Sequence, residues 1–141
     1  MPDGLRIPYT SARTRHGEAL LRPQIPLELT LGGRSLRAVG LLDSGADVSV
    51  LPYQLGTKLG VEWSAQAPAV RLSGNLAQTE ARGILVDVTI GQLGPVRLAF
   101  AWTRTDDVPL ILGQVNFFAE FDVCFYRSRG FIELRPKGLG A

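Results

Sequence analysis

The sequence predicts a mostly β domain, a barrel or a sandwich, on three observations. Apolar residues alternate with period two in short runs, turn-forming residues punctuate those runs, and helical periodicity is scarce. Sixteen glycines and nine prolines supply the punctuation within 141 residues, a length that suits one domain. At 45% hydrophobic and 20% charged residues, the chain carries enough apolar surface for a core, which excludes a disordered polymer.

The elements follow in order. Residues 1–23 are expected to form a loosely held basic extension, with Arg6, Arg13, Arg15 and Arg22 set against Glu18 over residues 6–22. Ile25, Leu27, Leu29 and Leu31 alternate with Pro26, Glu28 and Thr30, the pattern of a strand with one buried face. Gly32-Gly33 suits a tight hairpin turn, because both positions accept positive φ. Residues 35–42 form the return strand and end fully apolar. A turn at 43–47 leads to a second apolar strand at 48–52, and 53–60 can form one helical turn. Residues 68–72 and 77–90 read as a hairpin tipped by Ser73-Gly74-Asn75. A turn at Gly91 to Gly94 leads into a strand at 95–102 and a polar loop at 103–109. Ile111 and Leu112 belong to a short apolar strand closed by Gly113, and 115–121 is the best helix candidate. A last hairpin, 122–126 with 131–135, turns over residues 127–130. Neither repeat nor linker interrupts residues 24–136, so they are read as the one domain, with 137–141 as a tail.

Charge excludes several functions. The net charge is +2, and thirteen of the fifteen basic residues are arginines scattered without a block. That is a solvated surface, without the clustered patch a nucleic-acid partner requires. Apolar runs fall short of the roughly 18 residues that cross a bilayer, so no membrane partner is expected. The first twenty residues lack the apolar stretch of a secretory signal, and the lone Cys124 forbids an internal disulfide, so a cytoplasmic location is expected. With one histidine, His16, and one cysteine, a His/Cys metal site is not expected, nor is any other cofactor. Cys124 is read as a buried strand residue, Trp63 and Trp102 as core or pocket wall, and Phe117, Phe118 and Phe121 as helix core or interface. Asp106-Asp107 is read as a solvated loop pair.

The chemistry concentrates in residues 41–52, Leu-Leu-Asp-Ser-Gly-Ala-Asp-Val-Ser-Val-Leu-Pro. Asp43 stands at the mouth of an apolar strand, on a turn that Gly45 allows to be narrow. Setting a carboxylate between two apolar runs costs desolvation, which points to a hydrogen-bonding or chemical role. Asp-[Ser/Thr]-Gly alone arises by chance in roughly one chain in twenty of this length at average residue usage. The triplet gains weight from the apolar runs on both sides, from Ile111-Leu112-Gly113 further along, and from the Gly-bearing hairpin between them. Ser44 is not read as a nucleophile, since His16 in the basic extension is no plausible triad partner.

On these motifs residues 24–136 resemble the retropepsin-like aspartic proteases, the single-lobed relatives of pepsin and the retroviral proteases. Asp43-Ser44-Gly45-Ala46 matches the family's active-site motif. Ile111-Leu112-Gly113 with its following helix matches the apolar element beneath the active-site loop, and the segment tipped by Ser73, Gly74 and Asn75 matches the flap. The resemblance implies a closed, mostly β barrel with one short C-terminal helix and an active site at a two-fold dimer interface. It implies an aspartic endopeptidase acting on peptide or protein substrates as a homodimer, with a water between two Asp43 carboxylates attacking the peptide carbonyl. Two carboxylates held close cannot both ionise easily and so share a proton, the aspartic-protease dyad being the standard illustration of that rule. The ionised member then takes a proton from water while the other donates to the carbonyl. The resemblance further implies that Ser44 braces the two loops across the dimer, that Gly45 and Ala46 leave room for substrate, and that Asp47 holds substrate main chain or the loop. The flap closes over the peptide.

One departure stands out. Retroviral members carry Gly-Arg after the apolar pair, whereas this chain has Gly113-Gln114, so the arginine that would pair with Asp47 is absent. That absence and the N-terminal segment motivate an alternative expectation, a dimerisation or peptide-binding module with little turnover.

Overall fold

The computed structural model describes residues 4–64 and 67–138, and the side chain of Asn75 lies outside the described residues. The strands are β1 (Leu5–Pro8), β2 (Thr10–Arg13), β3 (Ala19–Arg22), β4 (Gln24–Leu31), β5 (Arg34–Leu42), β6 (Val50–Leu51), β7 (Ala81–Ile90), β8 (Leu93–Thr103), β9 (Leu110–Leu112), β10 (Phe121–Tyr126) and β11 (Phe131–Pro136). Two short helices, α1 (Tyr53–Lys58) and α2 (Phe117–Glu120), punctuate them. Six strands close into a barrel in the order β4-β5-β9-β6-β8-β7. The expectation of a closed, mostly β architecture is met.

The alternation read along residues 25–31 is the alternation observed. Ile25, Leu27 and Leu29 are buried in the barrel core, and Pro26 and Glu28 face outward. Gly32 and Gly33 both take positive φ, +56° and +81°, and turn β4 into β5. The core between the barrel walls is filled by Val86, Val88, Leu98, Phe100 and Trp102 against Leu42, Leu51 and Leu112. Phe117 and Phe121 join this core, as expected, and Trp102 anchors its ring by donating Nε1–H to the Tyr53 carbonyl at 3.1 Å.

The crossover of the barrel positions the site. β5 and β9 run parallel, with Leu41 opposite Ile111 and Leu42 opposite Leu112. Continuing that register by one residue brings Asp43 alongside Gly113.

Four expectations are corrected. The basic extension is not uniformly loose: β1 pairs along its length with β11, and Ile7 is 8% exposed against the core. Leu5 and Ile7 alternate with Arg6 and Pro8, a period-two pattern too short to stand out among arginines. β2 and β3 form a hairpin of their own. The hairpin expected at 68–72 and 77–90 is only partly β. Residues 68–72 meet β7 through a single bridge, Ala69 with Arg82, and Gly74–Leu76 is a 3-10 turn. Pro68 has no amide to donate, and of residues 77–80 only Thr79 carries a β-branched side chain of the kind that favours strand. The apolar strand after the Asp43 turn spans Val50–Leu51 alone; before it, the Ala46 and Asp47 carbonyls are taken by the amides of Gln114 and Val115 after β9. Cys124 is exposed: Phe121 and Val123 take the inward positions of β10, and Cys124 falls on the opposite face.

Candidate active site

Asp43 follows directly on β5 and is half-buried. Its amide donates to the Leu112 carbonyl at 3.1 Å, which continues the β5–β9 pairing beyond the strands. Its carbonyl accepts from Ala46 N–H at 3.1 Å, closing a tight turn, and its Oδ1 accepts from Gly45 N–H at 3.0 Å. Gly45 does not take positive φ, so the expectation that its freedom narrows the turn is refined. A Cβ at Gly45 would lie 3.3 Å from Asp43 Oδ1, so what glycine provides here is a bare approach to the carboxylate.

The loop is laced to the segment after β9. Gln114 N–H donates to the Ala46 carbonyl at 2.8 Å and Val115 N–H to the Asp47 carbonyl at 2.8 Å. Gln114 Nε2 donates to the Ser44 carbonyl, also at 2.8 Å. Gly113 N–H donates at 3.0 Å to the hydroxyl of Ser49, a fully buried side chain. The lacing is so close that a Cβ on Gly113 would sit 2.5 Å from the Val48 carbonyl oxygen. Leu112 and Gly113 thus touch the Asp43 loop directly, Leu112 through its carbonyl and Gly113 through its amide and its bare Cα, while Ile111 packs against the apolar cluster of Val50 and Leu72.

An open cleft of about 670 Å³ extends from Asp43. Gly45, Ala46 and Asp47 line it on the loop side, and Arg71, Leu72, Ser73, Gly74 and Leu76 on the side of the irregular arm. Val50 and Leu72 belong to a small second core with Ala81 and Ala101, on which Val48, Val108 and Ile111 pack. The cleft floor is therefore apolar, and Asp43, Asp47, Asp107 and Arg71 supply its charges. Ser44 is exposed and stands outside the cleft lining.

The structure thus brings together Asp43, Gly45, Ala46, Asp47, Ser73 and Gly74. It separates Asp106 from Asp107: Asp106 Oδ1 accepts from Gln54 N–H at 2.8 Å at the start of α1, while Asp107 lines the cleft. Sequence reasoning missed Ser49, signalled only by a polar residue within an apolar run, and it missed Arg71, Leu72 and Asp107 as cleft residues. Among the described residues no group of three or more His, Cys, Asp or Glu side chains is arranged to hold a metal ion, and no helix is long and apolar enough to cross a membrane.

Comparison with known proteins agrees with this geometry. Residues 27–115 match the family described as aspartyl protease. A solved structure of a retropepsin-like aspartic protease from Rickettsia conorii superposes with a TM-score of 0.59 at 19% identity, covering 94% of this chain and 92% of that one. No curated protein sequence matches the chain significantly.

Proposed function

Since the chain belongs to the aspartyl protease family, we propose that it is an aspartic endopeptidase whose active site is shared by two copies, each giving one Asp43. The single observation that carries this reading is the placement of Asp43: a half-buried carboxylate with one oxygen held by Gly45 N–H, opening on a cleft of peptide-binding size. Asp43-Ser44-Gly45 occurs once in the sequence, and the reaction needs two carboxylates, one to take a proton from water and one to protonate the carbonyl.

A two-fold assembly fits the remaining features. Ser44 is exposed beside the cleft, free to brace the facing loop. β10 is the outer strand of the β1-β11-β10 sheet, and Phe125 on it is 43% exposed, an edge that a second copy can extend. An extended peptide would lie over the apolar floor, with the arm through Ser73, Gly74 and Asn75 closing on it as a flap and Asp47 holding its main chain.

The test is a digest of unfolded protein at several pH values, analysed by mass spectrometry, with wild type and Asp43→Asn matched for oligomeric state by sedimentation. Products from wild type and none from Asp43→Asn are expected. Unchanged cleavage by Asp43→Asn refutes the reading, and peptide binding without products from wild type assigns the chain to a binding module instead.

A further inference from the structure

We propose that Gln114 is a positioning residue that orients the Asp43 carboxylate through a single peptide plane, a proposal that rests on the proteolytic reading for its catalytic consequence. Gln114 clamps the active-site loop twice: its N–H holds the Ala46 carbonyl and its Nε2 holds the Ser44 carbonyl, each at 2.8 Å. The Ser44 carbonyl and the Gly45 N–H are the two ends of one planar amide. The other end of that amide donates to Asp43 Oδ1 at 3.0 Å. A continuous chain of hydrogen bonds therefore runs from the Gln114 side chain, through the Ser44–Gly45 peptide, to the reacting carboxylate.

Rotation of that peptide would swing the Gly45 N–H off Oδ1. The other ties between the two segments, Asp43 N–H to Leu112, Gly113 N–H to Ser49, Gln114 N–H to Ala46 and Val115 N–H to Asp47, bond at residues outside this peptide. Gln114 Nε2 is the side-chain group that holds it directly. Hydrogen bonds in a chain also polarise one another, so a donor on the Ser44 carbonyl strengthens the Gly45 N–H as a donor to Asp43. The residue standing where retroviral relatives carry arginine thus makes an uncharged tie within its own chain.

The experiment compares wild type, Gln114→Met and Gln114→Glu. Methionine keeps the length and loses the donor; glutamate sets a carboxylate against the Ser44 carbonyl. Gly45 amide exchange, read by NMR against Val88 in the core, reports the peptide plane without requiring catalysis. Exchange at Gly45 is expected to rise roughly 3- to 10-fold in Gln114→Met and further in Gln114→Glu, with Val88 unchanged. On a peptide substrate, kcat is expected to fall by a similar factor while KM holds, since the cleft walls are untouched. Gly45 exchange equal to wild type, or rising only in step with Val88, overturns the proposal, as does a selective rise with kcat unaltered. A wild-type chain that cleaves nothing removes the catalytic reading, and Gly45 exchange alone then decides whether Gln114 holds the plane.

Discussion

The buried hydroxyl of Ser49 accepts the amide of Gly113 at 3.0 Å, joining the segment that follows Asp43 to the turn that supports it. The serine is fully buried within an otherwise apolar wall, so removing its oxygen strands a buried N–H. Ser49→Ala is expected to cost about 1–3 kcal/mol, since an unsatisfied buried donor keeps its full desolvation penalty. Urea denaturation should show a lower midpoint with an unchanged slope, and an unchanged midpoint would contradict the bond's importance.

Gly113 is required by space. A Cβ there would meet the Val48 carbonyl carbon at 2.7 Å and the Ala46 carbonyl oxygen at 2.9 Å, both main chain and unable to move aside cheaply. Gly113→Ala should cost upward of about 2 kcal/mol and displace the Asp43 loop, abolishing cleavage. Gly94 is the matched control, with nothing within 4 Å of its added Cβ and no positive φ. Gly94→Ala should stay within about 0.5 kcal/mol of wild type. Equal effects of the two substitutions would show that backbone crowding is not the reason for Gly113.

The neighbours Asp106 and Asp107 should separate stability from substrate binding. Asp106 caps the amide of Gln54 at the start of α1, so Asp106→Ala should lower unfolding stability by about 0.5–2 kcal/mol and leave KM alone. The Asp107 carboxylate lines the cleft, while its main-chain N–H bonds to Thr105 and survives truncation. Asp107→Ala should hold stability within about 0.5 kcal/mol and change KM for peptides. Denaturation and steady-state kinetics on both variants check the assignment, and the reverse pattern would contradict it.

How much of this was legible in the sequence depends on how local each signal is. The β4–β5 hairpin was legible because strict alternation and Gly32-Gly33 both act over a few residues. The Asp43 loop was legible because its flanking runs are apolar and its supporting Ile111-Leu112-Gly113 is distinctive. β1 was hidden, since its alternation spans only Leu5 to Pro8 and its stability comes from β11 at the other end of the chain. The arm at 68–80 is less regular than its sequence suggests, because Gly74 signals a turn while residues 68–72 meet β7 through a single bridge. The reach of Gln114 to Ser44, seventy positions away, leaves no local pattern at all. Gln114 was visible only as a missing arginine, and its own bonds came from the fold.

The central claim is that one active site takes an Asp43 from each of two chains. Its most direct measurement mixes wild type with inactive Asp43→Asn in equal amounts under conditions of free subunit exchange, at constant total chain concentration. If only dimers with two intact aspartates cleave, random pairing leaves about one quarter of the wild-type activity. Retention of about one half, the value for chains that act independently, would contradict the shared site.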